Sequence, residues 1–95
     1  MEIVINRTNL LQPMTYNIDM PQEKVEEVAR VLRDEFAYEG ELILSTSLGR
    51  GGVDLEYLER VALEFAVESH FDVEVPIGCA EGTYGSFLEQ VSKAL

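Results

Sequence analysis

Val25, Val28, Ala29, Leu32 and Phe36 recur at i, i+3, i+4, i+7 and i+11. At 3.6 residues per turn this spacing puts all five on one stripe, so the segment can bury a face only as an amphipathic helix. Glu23, Glu26, Glu27, Arg30 and Arg33 fill the other face as a solvated surface. Asp19 followed three residues later by Gln22 predicts a capping box, with Pro21 inside the first turn. Gly40 predicts the end of the helix. A single striped helix has no core of its own, so the remaining residues must supply the surfaces that cover it.

Those surfaces come from two further helices and the loops between them. Residues 41–53 read as a loop in which Leu42, Ile43, Leu44 and Leu48 tuck inward and the GRGG run, Gly49 to Gly52, breaks regular structure. Asp54 predicts the N-cap of a second helix, with Glu56 in its first turn and an end near Ser69 or His70. FDVEVP reads as extended and closed by Pro76, and IGCAEG holds at most one helical turn. Thr83 predicts the cap of a last helix whose apolar face is Tyr84, Phe87, Leu88, Val91 and Leu95. The fold class expected is a small all-α bundle of three to four helices. Residues 1–20 stand apart as an irregular N-terminal extension before a helical domain at 21–95; Ile3, Val4 and Ile5 make it either a strand-like arm or a tail.

Charge narrows the partners. Eighteen acidic residues face seven basic ones, a formal net of −11 within 95 residues, which repels nucleic acid and anionic membranes and steers toward basic protein surfaces. The start MEIVINRTN has no basic n-region or sustained apolar run, no segment is apolar enough to span a bilayer, and Cys79 is the only cysteine. A cytoplasmic location is the expectation.

The second helix carries more apolar surface than a peripheral helix needs. Leu58, Val61, Ala62 and Phe65 gather on one side, with Leu63 and Val67 roughly opposite and Glu56, Glu59, Glu64 and Glu68 among them. Either the helix is central and both stripes are buried, or one stripe meets something outside the chain. The longer stripe, Leu58–Val61–Phe65, would be the inward one on pattern alone.

The ordered set of segments resembles acyl carrier proteins and their peptidyl and D-alanyl relatives over about residues 21–95. FDVEVP, Phe71 to Pro76, is similar to the segment that follows their second helix; TSLG, Thr46 to Gly49, to the loop that leads into it; TYGSFLEQV, Thr83 to Val91, to the start of the final helix. Counting back without a gap puts Glu56 on the aspartate of the family's Asp-Ser-Leu triplet and Tyr57 on the serine that carries 4′-phosphopantetheine. Aligned from the glycine-rich entrance, Asp54 or a neighbour takes that place, again without a serine. Ser47 in TSL is the alternative hydroxyl. The resemblance implies a carrier-like bundle with no prosthetic group expected; 4′-phosphopantetheine on an atypical residue is the alternative. It reverses the stripe assignment, turning Leu63 and Val67 inward and leaving Glu56, Leu58, Glu59, Val61, Glu64, Phe65 and Glu68 to dock on a basic partner surface.

Nothing else in the sequence assembles a catalytic centre. His70 has no nucleophile at a fixed spacing and reads as a helix C-terminal residue that meets carbonyls or the dipole. Cys79 lacks the further ligands a zinc site needs and reads as small apolar filler or a partly exposed thiol. Glu26–Glu27 and Asp34–Glu35 are sequence neighbours that diverge around a helix. GRGG lacks the lysine and spacing of a phosphate loop. The expectation is a non-enzyme without a metal.

Overall fold

The structure, a computed structural model, describes residues 16–95. Among them are three helices: α1 (Gln22–Phe36), α2 (Tyr57–Phe71) and α3 (Tyr84–Ala94). The described residues contain no strand, and a single antiparallel bridge joins Ser47 to Thr83. The chain is a small helical bundle. The expected N-terminal strand or tail lies mostly outside the described residues; at its end, Ile18 and Met20 pack on the core.

The core draws on every element. Val28 and Leu32 from α1, Leu63 and Val67 from α2, and Phe87, Leu88 and Val91 from α3 are fully buried, with Leu48, Val53, Leu55, Val75 and Ala80 added from the connections. The periodicity of α1 therefore ends as drawn: Val28 and Leu32 are sealed while Val25, Ala29 and Phe36 pack at its margin. Burying side chains of this size contributes about 1.5–3 kcal/mol each before entropy is counted. That term is what holds three short helices together.

Helix ends depart from the expected positions, and for local reasons. Pro21 is itself the N-cap of α1, without a side-chain cap bond. Its C-terminus comes at Ala37, in the left-handed region with φ 52°, rather than at Gly40. Arg33 makes this stop workable by donating from Nη1 to the carbonyls of Tyr38 (3.2 Å) and Gly40 (3.0 Å). Asp54 does not cap α2. It has φ 65°, and its Oδ1 accepts from the N–H of Gly51 at 2.9 Å, which uses the carboxylate to close the glycine turn. Glu56 is the N-cap instead, and its N–H donates to Glu59 Oε1 at 2.8 Å, the return half of a capping box. Asp72 ends α2 in the left-handed region, one residue beyond Phe71. Thr83 caps α3 as expected, accepting from the N–H of Ser86 at 3.1 Å.

The long connection before α2 is an ordered scaffold. Tyr84 N–H donates to Thr46 O, Gly85 N–H to Leu44 O, Leu48 N–H to Gly82 O and Leu55 N–H to Leu48 O, all within 3.0 Å. These bonds bring the N-termini of α2 and α3 side by side. Gly52 is required here because a Cβ would overlap the Ser47 carbonyl. Of the four apolar residues expected to tuck inward, Leu48 is buried and Leu42 packs on the core. Ile43 and Leu44 stay exposed, their backbones serving the turn and the α3 pairing. Leu95, past the end of α3, is exposed as well.

Candidate functional site

Two strongly exposed apolar residues lie on one side of α2. Leu58 is 76% exposed and Phe65 63%, while Leu63 and Val67 on the opposite side are fully buried. Val61 lies between Leu58 and Phe65 in sequence and face and is half-buried. The pattern-only expectation that the longer stripe points inward is thereby overturned. Leu63 and Val67 are instead packed in the common core with residues of α1 and α3.

Acidic residues frame the stripe unevenly. Glu56 and Glu59 are exposed and Glu68 is half-buried. Glu64 departs from the surface role expected for it. It is only 5% exposed, and its Oε2 accepts the Ala80 N–H at 3.0 Å, so its carboxylate is spent on holding a loop. Glu68 does the same through Oε2, taking the Val75 N–H at 2.9 Å.

Sequence reasoning missed Ile77. It is 93% exposed, and with Gly78 and Glu81 it forms one wall of a small pit whose other wall is Tyr57, Arg60, Val61 and Glu64 of α2. The signal that would have found it is its place between Pro76 and Gly78. A turn that brief, with Gly78 at φ 88°, leaves its side chain nothing to pack under. Arg60 closes the pit's edge by donating from Nη1 to the Leu55 carbonyl at 2.6 Å, while its buried Nε finds no partner among the described residues.

The resemblance to carrier proteins offers two hydroxyls as attachment positions, Tyr57 and Ser47. Tyr57 is the first residue of α2 and is exposed, its ring standing at the pit's mouth. Ser47 lies half-buried in the preceding loop, ten residues upstream. Its Oγ accepts from the Gly49 N–H at 3.1 Å, and its backbone is engaged by Val53 and Thr83. The structure does not bring the two together.

His70 does not cap carbonyls. Its Nε2 meets Glu27 Oε1 of α1 at 3.0 Å, and its ring stands edge-on to Phe71. The hydrogen bond from His70 is the main reason the Glu27 carboxyl lies below its ordinary range, with Lys24 adding to it. Cys79 is half-buried, and burial with the nearby Glu64 carboxylate pushes its thiol up to about 12. A thiol so poised is protonated at neutral pH and a poor nucleophile. No grouping of three or more histidine, cysteine or acidic side chains fit to hold a metal occurs among the described residues, and none of their helices is long and apolar enough to cross a membrane. No protein-family model, curated protein or solved structure matches the chain.

Proposed function

We propose that the chain is an acyl-carrier-protein-like docking module that carries no prosthetic group and binds a basic surface of a partner enzyme through α2. One observation carries the reading: α2 turns Leu58 and Phe65 to solvent while sealing Leu63 and Val67. A helix that already has a buried face has no structural need for a second apolar one, and exposed aromatic and aliphatic groups rimmed by charge are typical of interaction sites. The stripe supplies affinity; Glu56, Glu59 and the net charge of −11 speed encounter with a basic surface in a salt-dependent way. The resemblance to carrier proteins over residues 21–95 supports the enzyme class of the partner, one of acyl or related biosynthesis. Tyr57 in place of the attachment serine supports a role in regulation or scaffolding.

The test is affinity capture with wild-type and Phe65→Ala bait from a lysate of the source cells, each at low and high salt. A protein retained by wild type, lost with the variant and weakened by salt is the expected result. Equal retention by both baits removes the α2 stripe from the account. Incubation with coenzyme A and a phosphopantetheinyl transferase, followed by intact mass, separates this from a working carrier: no gain is expected, and a gain of one arm on Tyr57 or Ser47 would replace the proposal by the carrier reading.

A further inference from the structure

We infer that the groove between α1 and α2 belongs to the docking surface and takes a basic side chain of an amphipathic partner helix, held by Asp34 and Glu35. The inference rests on the docking reading of α2 and extends that surface onto α1. Val31, Asp34 and Glu35 stand at i, i+3 and i+4 on α1, and Ala66, Ser69 and His70 stand at the same spacing on α2. The two triplets line one open groove. Asp34 and Glu35 reach the same rim, although they are sequence neighbours, because both lie one turn beyond Val31. The half-buried Val31 and Ala66 make an apolar floor, and the His70 end is bounded by the contact with Glu27 at 3.0 Å. Phe65 lies four residues before Ser69, so the exposed stripe borders the groove. The groove offers about 370 Å³ of open space, against about 10 Å³ in the pit beside Ile77. A single water needs about 10–15 Å³ on this measure, so the groove admits a side chain and the pit does not.

Charge selects the occupant. Asp34 and Glu35 sit in the last turn of α1, where the helix dipole disfavours acids and favours cations. Neither side chain has an ion pair or a hydrogen bond among the described residues. The cations of α1 do not serve them. Arg33 spends its guanidinium on the carbonyls of Tyr38 and Gly40, Lys24 stands over the Phe71 ring, and the exposed Arg30 pairs with neither acid. His70 is engaged by Glu27. Two unpaired carboxylates above an apolar floor fit an arginine or lysine, its stem on Val31 and Ala66 and its head between the acids. A metal ion is served less well, since no group of three or more histidine, cysteine or acidic side chains forms among the described residues. On a partner helix, an apolar residue one turn from that cation then rests on Phe65.

The test titrates the isotope-labelled full chain with an amphipathic helical peptide of leucine and arginine, and reads affinity and amide shifts by NMR. Saturable binding is expected, with shifts at Val31, Asp34, Glu35 and Ala66 as well as Phe65, and none of these with a leucine–glutamate peptide. An Asp34→Asn, Glu35→Gln double variant should weaken binding by about tenfold at fixed ionic strength. A Glu23→Gln, Glu26→Gln variant, which removes the same charge elsewhere on α1, should weaken it by less than about threefold. Equal losses in the two double variants would assign binding to overall charge and overturn the groove. Shifts confined to the outer face of α2, with affinity lost on Phe65→Ala alone, would remove the groove and keep the stripe. Affinity indifferent to Phe65→Ala would remove the stripe, and the joint surface with it. Failure to saturate, or the same amides moved by about 1 mM calcium chloride in place of the peptide, would also overturn the inference.

Discussion

At the scale of single residues, the informative groups are polar atoms kept from water. Tyr84 is buried at the first turn of α3, and its hydroxyl has no partner among the described residues. Burial drives its phenol up to about 12, with Arg33 pulling weakly the other way. An unpaired buried hydroxyl costs free energy that a phenylalanine would not incur. Tyr84→Phe is therefore expected to leave the fold unchanged and raise stability by about 0.5–1.5 kcal/mol in urea melts at neutral pH; a loss above 1 kcal/mol would mean that the hydroxyl is bonded. Cys79 gives a second residue-level expectation. With its thiol raised by burial and by Glu64, alkylation by iodoacetamide at pH 8 should be at least about tenfold slower in the folded chain than in urea. Equal rates would place the sulfur in free solvent. Gly85 offers a third. A Cβ there would come within 2.7 Å of the Tyr16 ring, whose hydroxyl meets Thr83 Oγ1 at 2.8 Å. Gly85→Ala should cost about 1–3 kcal/mol by displacing that ring.

At the scale of elements, α2 separates what pattern can say from what it cannot. Its existence and the Leu63–Val67 face follow from helical spacing, but two apolar stripes satisfy the same period, and ranking them by length chose the wrong one. What ranks them is packing with the other elements, for Leu63 and Val67 join the cluster that holds Val28, Leu32 and Phe87. Asp54 looks like a cap because its side chain suits that position, yet GRGG ahead of it offers a stronger competitor, the Gly51 N–H. With Asp54 taken into the turn, Glu56 begins the helix. Glu64 was illegible for a related reason. A glutamate beside apolar residues reads as surface charge unless the segment sixteen residues downstream is known to return an N–H to it, as Ala80 does. The element-scale expectation is a contrast: Leu63→Ala should lower stability by about 2–5 kcal/mol through a buried cavity, whereas Phe65→Ala should change it by less than about 0.5 kcal/mol. Thermal melts of both variants check it. A cost for Phe65→Ala near that of Leu63→Ala would make Phe65 part of the core and remove the exposed stripe.

At the scale of the whole molecule, the same buried acids set how the fold responds to alkali. A group whose pKa is raised on folding favours its neutral form in the native state. Its contribution is intact below the unfolded pKa and is lost as pH rises toward the folded one. For Cys79 that window runs from its ordinary value of 9.0 to about 12, and for Tyr84 from 10.0 to about 12. Within each window the unfolded chain has released a proton that the folded chain still holds, so stability falls as pH rises, and less for half-exposed Cys79 than for buried Tyr84. Where the windows overlap, between 10.0 and about 12, the slopes add. Carboxylates, already ionised, contribute no slope there, although a net charge of −11 that grows as lysines and tyrosines titrate adds self-repulsion. Urea midpoints measured from pH 8 to 11 should therefore fall slowly up to about pH 9 and steeply beyond it. The Tyr84→Phe, Cys79→Ala double variant should flatten the steep limb by about half or more. A double variant whose midpoint falls in parallel with wild type over that range would assign the alkaline loss to overall charge, and would mean that neither the phenol of Tyr84 nor the thiol of Cys79 is held neutral by the fold.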